Sequence, residues 1–140
     1  MDNPENPPVD LILIAGGVGI NPLYSILKYL DDENQKYQRI KSVRLMYSAK
    51  SHEELLFKSE IEEICEKKSD LFKVDFFLTQ EGKTTGRIDE NSLQNAIQDG
   101  NKDNTFVFIC GPTLMIKDID RLLVRQVGIP AKRIFYELWW

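Results

Sequence analysis

Hydrophobic and polar residues follow two different periods along this chain, and segments of the two kinds alternate. Short apolar or alternating runs predict five strands, at residues 11–14, 43–49, 74–79, 106–109 and 134–138. Between them, apolar residues recur every three or four positions and predict helices at residues 22–30, 52–68 and 113–126, and a short helix that contains Leu93, Ala96 and Ile97. Strands that alternate with helices predict an α/β fold, a doubly wound three-layer sandwich around a five-stranded parallel sheet with right-handed crossovers.

Three helix boundaries carry recognisable signals. Ser51 and Glu54 have the spacing of a capping box, so the second helix is expected to begin there. Asp89 is placed to cap the third helix, and Gly128 is placed to end the fourth. The apolar face of the second helix is expected to point inward with Leu56, Ile61, Ile64 and Cys65.

The first and fourth strands are apolar on both faces, which is typical of central strands covered by helices on each side. The expected strand order is therefore 3-2-1-4-5, with these two strands side by side. In open parallel sheets, ligands bind beyond the carboxyl ends of the strands where the order reverses. That point lies between the first and fourth strands.

Small residues follow both central strands. The first strand runs into Gly16, Gly17 and Gly19, and then into Asn21 and Pro22, which suit a helix cap and a first helical position. A glycine turn that leads into a helix offers backbone N–H groups to a phosphate. Pro22 stands where the dinucleotide fingerprint has its third glycine, and a tight turn without a ligand remains the alternative interpretation.

The turn after the fourth strand reads Cys110, Gly111 and Pro112. With the predicted strand order, this turn and the first glycine turn face each other across one crevice. Two such turns at one switch point favour a nucleotide site more strongly than either turn alone.

Composition narrows the class of protein. The 140 residues fit one domain, and the net charge of −4 argues against binding to a nucleic-acid backbone. No apolar run approaches the roughly 20 residues of a membrane span. Cys65 and Cys110 are far apart and outside metal-binding spacings, so we expect no metal site and a reducing compartment. The proline-rich residues 1–10 are interpreted as a linker from a preceding domain.

Three motifs in order, residues 16–22, residues 110–115 and Glu137 followed by aromatics, resemble the NAD(P)-binding half of the ferredoxin–NADP reductase superfamily. Residues 47–60 also resemble its second strand and the helix that follows. The resemblance implies hydride transfer between a nicotinamide and FAD held by a preceding flavin-binding domain, which this sequence does not contain. The final electron acceptor stays open. Without the hydride acceptor, the chain alone is expected to bind nucleotide but turn nothing over.

The resemblance also implies roles for residues near the pyrophosphate. Gly17 and Gly19, with the amides that begin the following helix, would hold the pyrophosphate, and Gly16 would let the backbone approach. The neighbouring positions that complete this implied site are Val18, Asn21 and Pro22.

At the nicotinamide end, the resemblance places Cys110 beside the reactive carbon, with Gly111 and Pro112 as the wall and Met115 near the ribose or pyrophosphate. Glu137 would lie at the junction of nicotinamide and flavin, and Trp139 or Trp140 would cover the flavin ring. Taken without the resemblance, Cys110 is a small core residue at the end of a buried strand, and the two tryptophans are strand-end packing. An exposed tryptophan pair would favour an interface with the flavin domain.

The choice of nicotinamide depends on charges near the adenine ribose. Thr79, Gln80 and Glu81 follow the third strand and lack the cation that a 2′-phosphate requires, which favours NADH. Thr79 and Gln80 could hydrogen-bond the adenine ribose. The acid that is usual at the end of the second strand is missing, since Ser48, Ala49 and Lys50 stand there, and Ser48 is expected to be among the residues that bind the cofactor. Lys50 and Arg87 are the cations that would favour NADPH instead.

Two other enzyme classes fit less well. A methyltransferase would share the glycine turn but would not account for residues 110–112, and the P-loop NTPase motif does not occur. A non-catalytic nucleotide-binding or docking module of the same fold is the remaining alternative. His52, the single histidine, is expected to be solvated and receives no catalytic role.

Overall fold

A computed structural model of the chain describes residues 8–33, 39–80, 86–97 and 102–138. Five strands form one sheet in which all four neighbouring pairs run parallel, in the order β3-β2-β1-β4-β5. The strands are β1 (Val9–Gly16), β2 (Ile40–Ala49), β3 (Phe72–Leu78), β4 (Thr105–Gly111) and β5 (Ile134–Leu138). The predicted sheet and its order are confirmed.

In the part of the chain that the structure describes, four helices connect the strands across the two faces of the sheet. They are α1 (Ile20–Glu33), α2 (Lys58–Lys67), α3 (Glu90–Ile97) and α4 (Thr113–Arg121), with a π-helical continuation of α4 at Leu122–Val127. Single 3₁₀ turns lie at Gly17–Gly19, His52–Glu54, Lys102–Asn104 and Ala131–Arg133. As predicted, the Asp89 carboxylate accepts a hydrogen bond from the Ser92 N–H at 2.9 Å, and Gly128 ends the fourth helix with a φ of 92°.

Two hydrophobic cores lie on opposite faces of the sheet because successive strand residues point to opposite sides. The core under α1 and α2 includes Leu13, Leu27, Leu45, Tyr47 and Ile61. The core under α3 and α4 includes Ile14, Met46, Leu93, Ile109 and Ile119. Adjacent residues of β1 thus belong to different cores, so β1 is the buried central strand that its uninterrupted apolar run predicts.

The predicted helix at residues 52–68 is split in two, so this part of the prediction is wrong. Ser51 makes no capping hydrogen bond with its side chain, and the 3₁₀ turn after it ends at Leu55. Phe57 then adopts a left-handed conformation with a φ of 61°, which an α-helix cannot contain. The break turns Leu55 into the core and leaves Leu56 43% exposed instead of buried.

Contacts on both sides stabilise this break. The buried Tyr47 hydroxyl accepts a hydrogen bond from the Leu56 N–H at 2.8 Å, and the Phe57 ring stacks on Tyr24 with centroids 4.2 Å apart. Burial raises the pKa of Tyr47 more than this hydrogen bond lowers it. The hydroxyl therefore stays neutral and can accept the N–H.

The carboxylate of Asp31 joins the carboxyl-terminal ends of α1 and α2. It lies 2.9 Å from the Lys68 ammonium and 3.3 Å from the Lys67 ammonium, and only 9% of the side chain is exposed. Burial by itself would raise the pKa of Asp31, but the hydrogen bonds and charges of Lys68 and Lys67 outweigh it and hold the pKa below its ordinary value. The ionised carboxylate therefore stabilises the packing of these two helices.

The chain enters β1 at Val9, two residues before the predicted start of the first strand at Leu11. The Val9 N–H donates to the Arg39 carbonyl oxygen at 2.6 Å, which pairs the start of β1 with the start of β2. The earlier part of the predicted linker, residues 1–7, lies outside the described residues.

Candidate functional site

The first glycine turn continues directly from β1 into α1. β1 ends at Gly16, a 3₁₀ turn spans Gly17–Gly19, and α1 begins at Ile20. Gly17 has a φ of 55°, a conformation that glycine adopts without steric cost. Because the first N–H groups of a helix have no partner within the helix, the amides of this turn are available to an anion beyond the end of β1.

The second turn packs against the first. A Cβ atom at Gly19 would overlap the main-chain carbonyl of Cys110, so no side chain fits there without moving one of the turns. A Cβ atom at Gly111 would lie 3.2 Å from the Gly16 nitrogen. The predicted convergence of the two turns at the switch point is therefore observed as backbone contact.

Met115, in the first turn of α4, covers Gly16 and Gly111. A Cβ atom at Gly111 would lie 2.9 Å from the Met115 methyl carbon, and one at Gly16 would overlap the Met115 sulfur and lie 3.2 Å from Pro112 Cδ. The glycines thus allow Met115 to close one side of the junction between the turns.

Asn21 does not cap α1 with its side chain, contrary to the sequence expectation. The helical path already begins at the 3₁₀ turn, which places Asn21 and Pro22 inside the first turn of α1. The Asn21 side-chain amide instead donates to the Val18 carbonyl oxygen at 3.1 Å. Val18 itself is 45% exposed, so the tip of the turn faces solvent.

Cys110 and Glu137 are direct neighbours at the carboxyl ends of β4 and β5. They line a cleft of about 210 Å³, which α1 borders on its other side with Pro22 and Leu23. Only 2% of Cys110 is exposed, and its side chain belongs to the core under α1. The core interpretation of Cys110 and its position at a cleft are therefore both observed.

A wider cleft of about 460 Å³ lies at the same edge of the sheet, between the ends of β2 and β3 and the outer face of α4. Four residues singled out from the sequence line it, namely Ser48, Thr79, Arg87 and Met115. Met115 thus connects this cleft, which we call the α4 cleft, to the two glycine turns.

Two of the expected residues do not line the α4 cleft. Lys50 and Gln80 are exposed beside it, where the Gln80 N–H donates to the Lys50 carbonyl oxygen at 3.0 Å. The predictions for Glu81, Trp139 and Trp140 fall outside the described residues.

Two charged residues of the α4 cleft were not singled out from the sequence. Asp118 and Arg121 lie on the exposed face of α4, with Asp118 Oδ1 and Arg121 Nη1 3.9 Å apart. The sequence feature that could have identified Asp118 is its spacing from Met115. Asp118 follows Met115 by three residues, and residues three apart share one face of a helix.

Another cavity of about 210 Å³ lies at the opposite edge of the sheet, at the amino ends of the strands. It includes Asp10, Lys41, Ser42 and Arg44. The Ser42 hydroxyl donates to the Asp10 carboxylate at 2.6 Å, and Arg44 pairs with Asp75 at 2.8 Å. Asp10, Ser42 and Arg44 thus have partners within the protein, and ligands of open parallel sheets bind at the other edge.

No group of three or more His, Cys, Asp or Glu side chains is arranged to hold a metal ion in the described ranges. Among the helices that the structure describes, none is long and apolar enough to cross a membrane.

Comparison with known proteins agrees with this geometry. Residues 13–121 match the family model of the oxidoreductase NAD-binding domain. The oxidoreductase NAD-binding domain-containing protein 1 of Danio rerio is 38% identical over 151 residues, which cover 98% of this chain and 54% of the relative. The chain thus spans about half the length of the curated relatives that it matches.

Solved structures share the fold. The flavohemoglobin from Malassezia yamatoensis with bound FAD and heme has a TM-score of 0.75 at 29% identity, over 96% of this chain and 32% of that one. The ferredoxin-NADP+ reductase from Plasmodium falciparum has a TM-score of 0.70 at 18% identity, over 94% of this chain and 53% of that one, and shows the fold alone. The resemblance stated from the sequence is confirmed.

Proposed function

The chain belongs to the oxidoreductase NAD-binding domain family, and we propose that it is the nicotinamide-binding half of a flavin-dependent oxidoreductase, passing hydride from NADH to FAD held by another domain. One observation carries the proposal. The glycine turns after β1 and β4 touch through their backbones at the switch point of the sheet, and a cleft opens on each side of the junction.

The first turn binds the pyrophosphate in this proposal. Gly17 and Gly19 lie between the end of β1 and the amino end of α1, and the positive end of a helix attracts an anion. Gly19 is required for the contact with the Cys110 carbonyl, and a side chain there would push the turns apart. The residues present therefore fit a dinucleotide that crosses the junction, with its adenosine end in the α4 cleft and its nicotinamide end beside Cys110.

The nicotinamide end is shaped by the ends of β4 and β5. The bound dihydronicotinamide supplies a hydride, and the flavin accepts it. The work of this chain is to hold the ring flat against the flavin and to exclude water. Cys110 forms the buried wall of the cleft, and Glu137 places a carboxylate at its exposed edge.

Exposed aromatic side chains continue from this cleft along β5, on the two faces of this edge strand. Phe135 is 45% exposed and Tyr136 56% exposed, and the Phe135 ring stacks on Phe108 with centroids 5.1 Å apart. Apolar surface of this kind commonly marks an interface. Because the curated relatives are about twice as long as this chain, we propose that the flavin-binding domain packs here, with Trp139 or Trp140 against the flavin ring.

The proposed preference for NADH rests on charge. Lys50 does not line the α4 cleft, and Gln80 is neutral, so neither supports a 2′-phosphate site. Arg87 and Arg121 do line the cleft, but the Asp118 carboxylate lies 3.9 Å from the Arg121 guanidinium, lines the cleft as well and disfavours a second anion. Ser48 and Thr79 provide neutral hydroxyl groups for the ribose.

Calorimetric titration of the chain with NADH and with NADPH tests this function. We expect NADH to bind more tightly, with an affinity between micromolar and millimolar. Stopped-flow reduction of the flavin in the full-length flavoprotein then separates a working reductase from a non-catalytic nucleotide-binding module. Failure of both nucleotides to bind would contradict the nucleotide site, and binding without flavin reduction would favour the non-catalytic module.

A further inference from the structure

The carboxylate that recognises a ribose is missing from its usual place in this chain. In dinucleotide-binding sheets, an acid at the end of the second strand binds the ribose hydroxyls of NAD. Here β2 ends with Ser48 and Ala49, and Lys50 follows. Among the described residues that line the α4 cleft, Asp118 is the only acid, and it comes from a helix on the far side of the cleft.

We propose that Asp118 takes the role of this missing acid: it accepts hydrogen bonds from the adenine-ribose hydroxyls of NADH and so selects NADH over NADPH. The proposal rests on the nucleotide function proposed above. It assigns the choice of dinucleotide to α4 instead of to the loops after β2 and β3.

The position of Asp118 along α4 supports this role. Met115 packs on Gly16 and Gly111, so it marks the pyrophosphate end of the cleft. Asp118 follows it by three residues on the same helix face, which places it about 4.5 Å further along the helix axis. A ribose attached to the pyrophosphate lies a step of this size away, within reach of the carboxylate.

The surroundings of Asp118 leave it able to accept hydrogen bonds. Its nearest oxygen is 3.9 Å from the Arg121 guanidinium, longer than a hydrogen bond, and its side chain is 57% exposed. Arg87 is the other charged group in the cleft, and Ser48 and Thr79 are neutral. A 2′-phosphate would meet the Asp118 carboxylate where NADH presents a hydroxyl. When Asp118 is replaced by a neutral residue, the Arg121 guanidinium is free to pair with the 2′-phosphate.

The test compares ligands that differ only by the 2′-phosphate. ADP-ribose and 2′-phospho-ADP-ribose are titrated calorimetrically into the chain, together with NADH and NADPH. Asp118→Asn should weaken ADP-ribose and NADH about tenfold, the loss of one charge-assisted hydrogen bond. It should also strengthen the two phosphorylated ligands, and adding Arg121→Gln should remove that gain.

Asp120→Asn is the matched control, because it makes the same charge change on the same helix but outside the residues that line the cleft. This control variant should leave the ratio of the NADH and NADPH affinities unchanged. Circular dichroism checks that each variant is folded. If NADH binds wild type while Asp118→Asn leaves the ratio unchanged, the role of Asp118 is refuted and the proposed function stands. If no ligand binds wild type, the proposed function fails, and this inference fails with it.

Discussion

Substituting Gly19 by alanine tests the contact between the two glycine turns. The added methyl group would overlap the Cys110 carbonyl and lie 2.9 Å from the Gly111 nitrogen. All of these atoms are main chain, so no side chain can rotate out of the way. To restore normal contact distances, the turns must separate by about 1 Å at the junction where the pyrophosphate is proposed to bind.

The expected cost follows from overpacking at a rigid junction. We expect Gly19→Ala to lower the free energy of unfolding by about 3 kcal/mol, the upper end of the range for overpacked cores. For a chain of this size, each kcal/mol corresponds to about 3 °C in melting temperature, so the variant should melt about 9 °C lower. Its affinity for NADH should fall at least about tenfold, because an error of 1 Å in position disrupts the aligned amides.

Gly128→Ala is the control for a glycine that is required by conformation alone. Gly128 has a φ of 92°, but the nearest atom to an added methyl group, the Lys102 ammonium nitrogen, is 3.8 Å away. Gly128 ends the fourth helix and lines neither the α4 cleft nor the cleft beside Cys110. We expect a loss of about 1 kcal/mol from left-handed strain and an unchanged affinity for NADH. A Gly19→Ala variant that melts and binds NADH like wild type would refute the contact.

Two further predictions concern Cys110 and Asp31. In a full-length protein that carries the proposed flavin domain, Cys110→Ala should slow flavin reduction by NADH about tenfold, because it alters the proposed wall of the nicotinamide site. Cys65→Ala is the control, and an unchanged rate in a folded Cys110→Ala protein would leave Cys110 a core role only. The lowered pKa of Asp31 means that its stabilisation is fully present above the carboxyl's ordinary value of 3.8 and is lost as pH falls through the lower, folded-state pKa. Urea unfolding should therefore show Asp31→Asn destabilised by about 1 kcal/mol at pH 7. That difference should shrink at strongly acidic pH, whereas the exposed Asp32→Asn control stays close to wild type. A difference that is constant with pH would show that the charge of Asp31 does not stabilise the fold.

The sheet could be predicted because its signals are local and strong. The apolar runs of β1 and β4 are the two central strands, and the bounds predicted for β5 agree with the structure. Gly128 and Asp89 mark helix ends in the structure because each acts through its own backbone or a residue three positions away.

The break before α2 could not be predicted from sequence spacing. Ser51 and Glu54 have a capping-box pattern, but the left-handed Phe57 is held by the ring of Tyr24 and by the hydrogen bond between the neighbouring Leu56 and Tyr47. Both tyrosines lie outside the four residues of the capping pattern. Tertiary contacts outweighed the local helical preference, and Leu56 was consequently assigned to the wrong side.

The glycine turns of the candidate site could be predicted from the sequence, whereas the charged residues of the α4 cleft could not. The glycine turns were predicted because glycine spacing determines the local backbone, and strand order brings the turns together. Asp118 and Arg121 were missed because α4 was interpreted only by its apolar residues. The exposed face of α4 forms one wall of a cleft that also includes Thr79. This arrangement depends on how the helix packs on the sheet.

The most direct test of the central claim is an NMR titration of the isotopically labelled chain with NADH. We expect the largest amide shifts in both glycine turns, at Gly17, Gly19 and Gly111, and further shifts along the α4 cleft. Saturable binding that leaves these amide resonances unchanged would contradict a nucleotide site at the switch point. Binding that instead shifts the amide resonances of the residues around Lys41, at the opposite edge of the sheet, would contradict it as well.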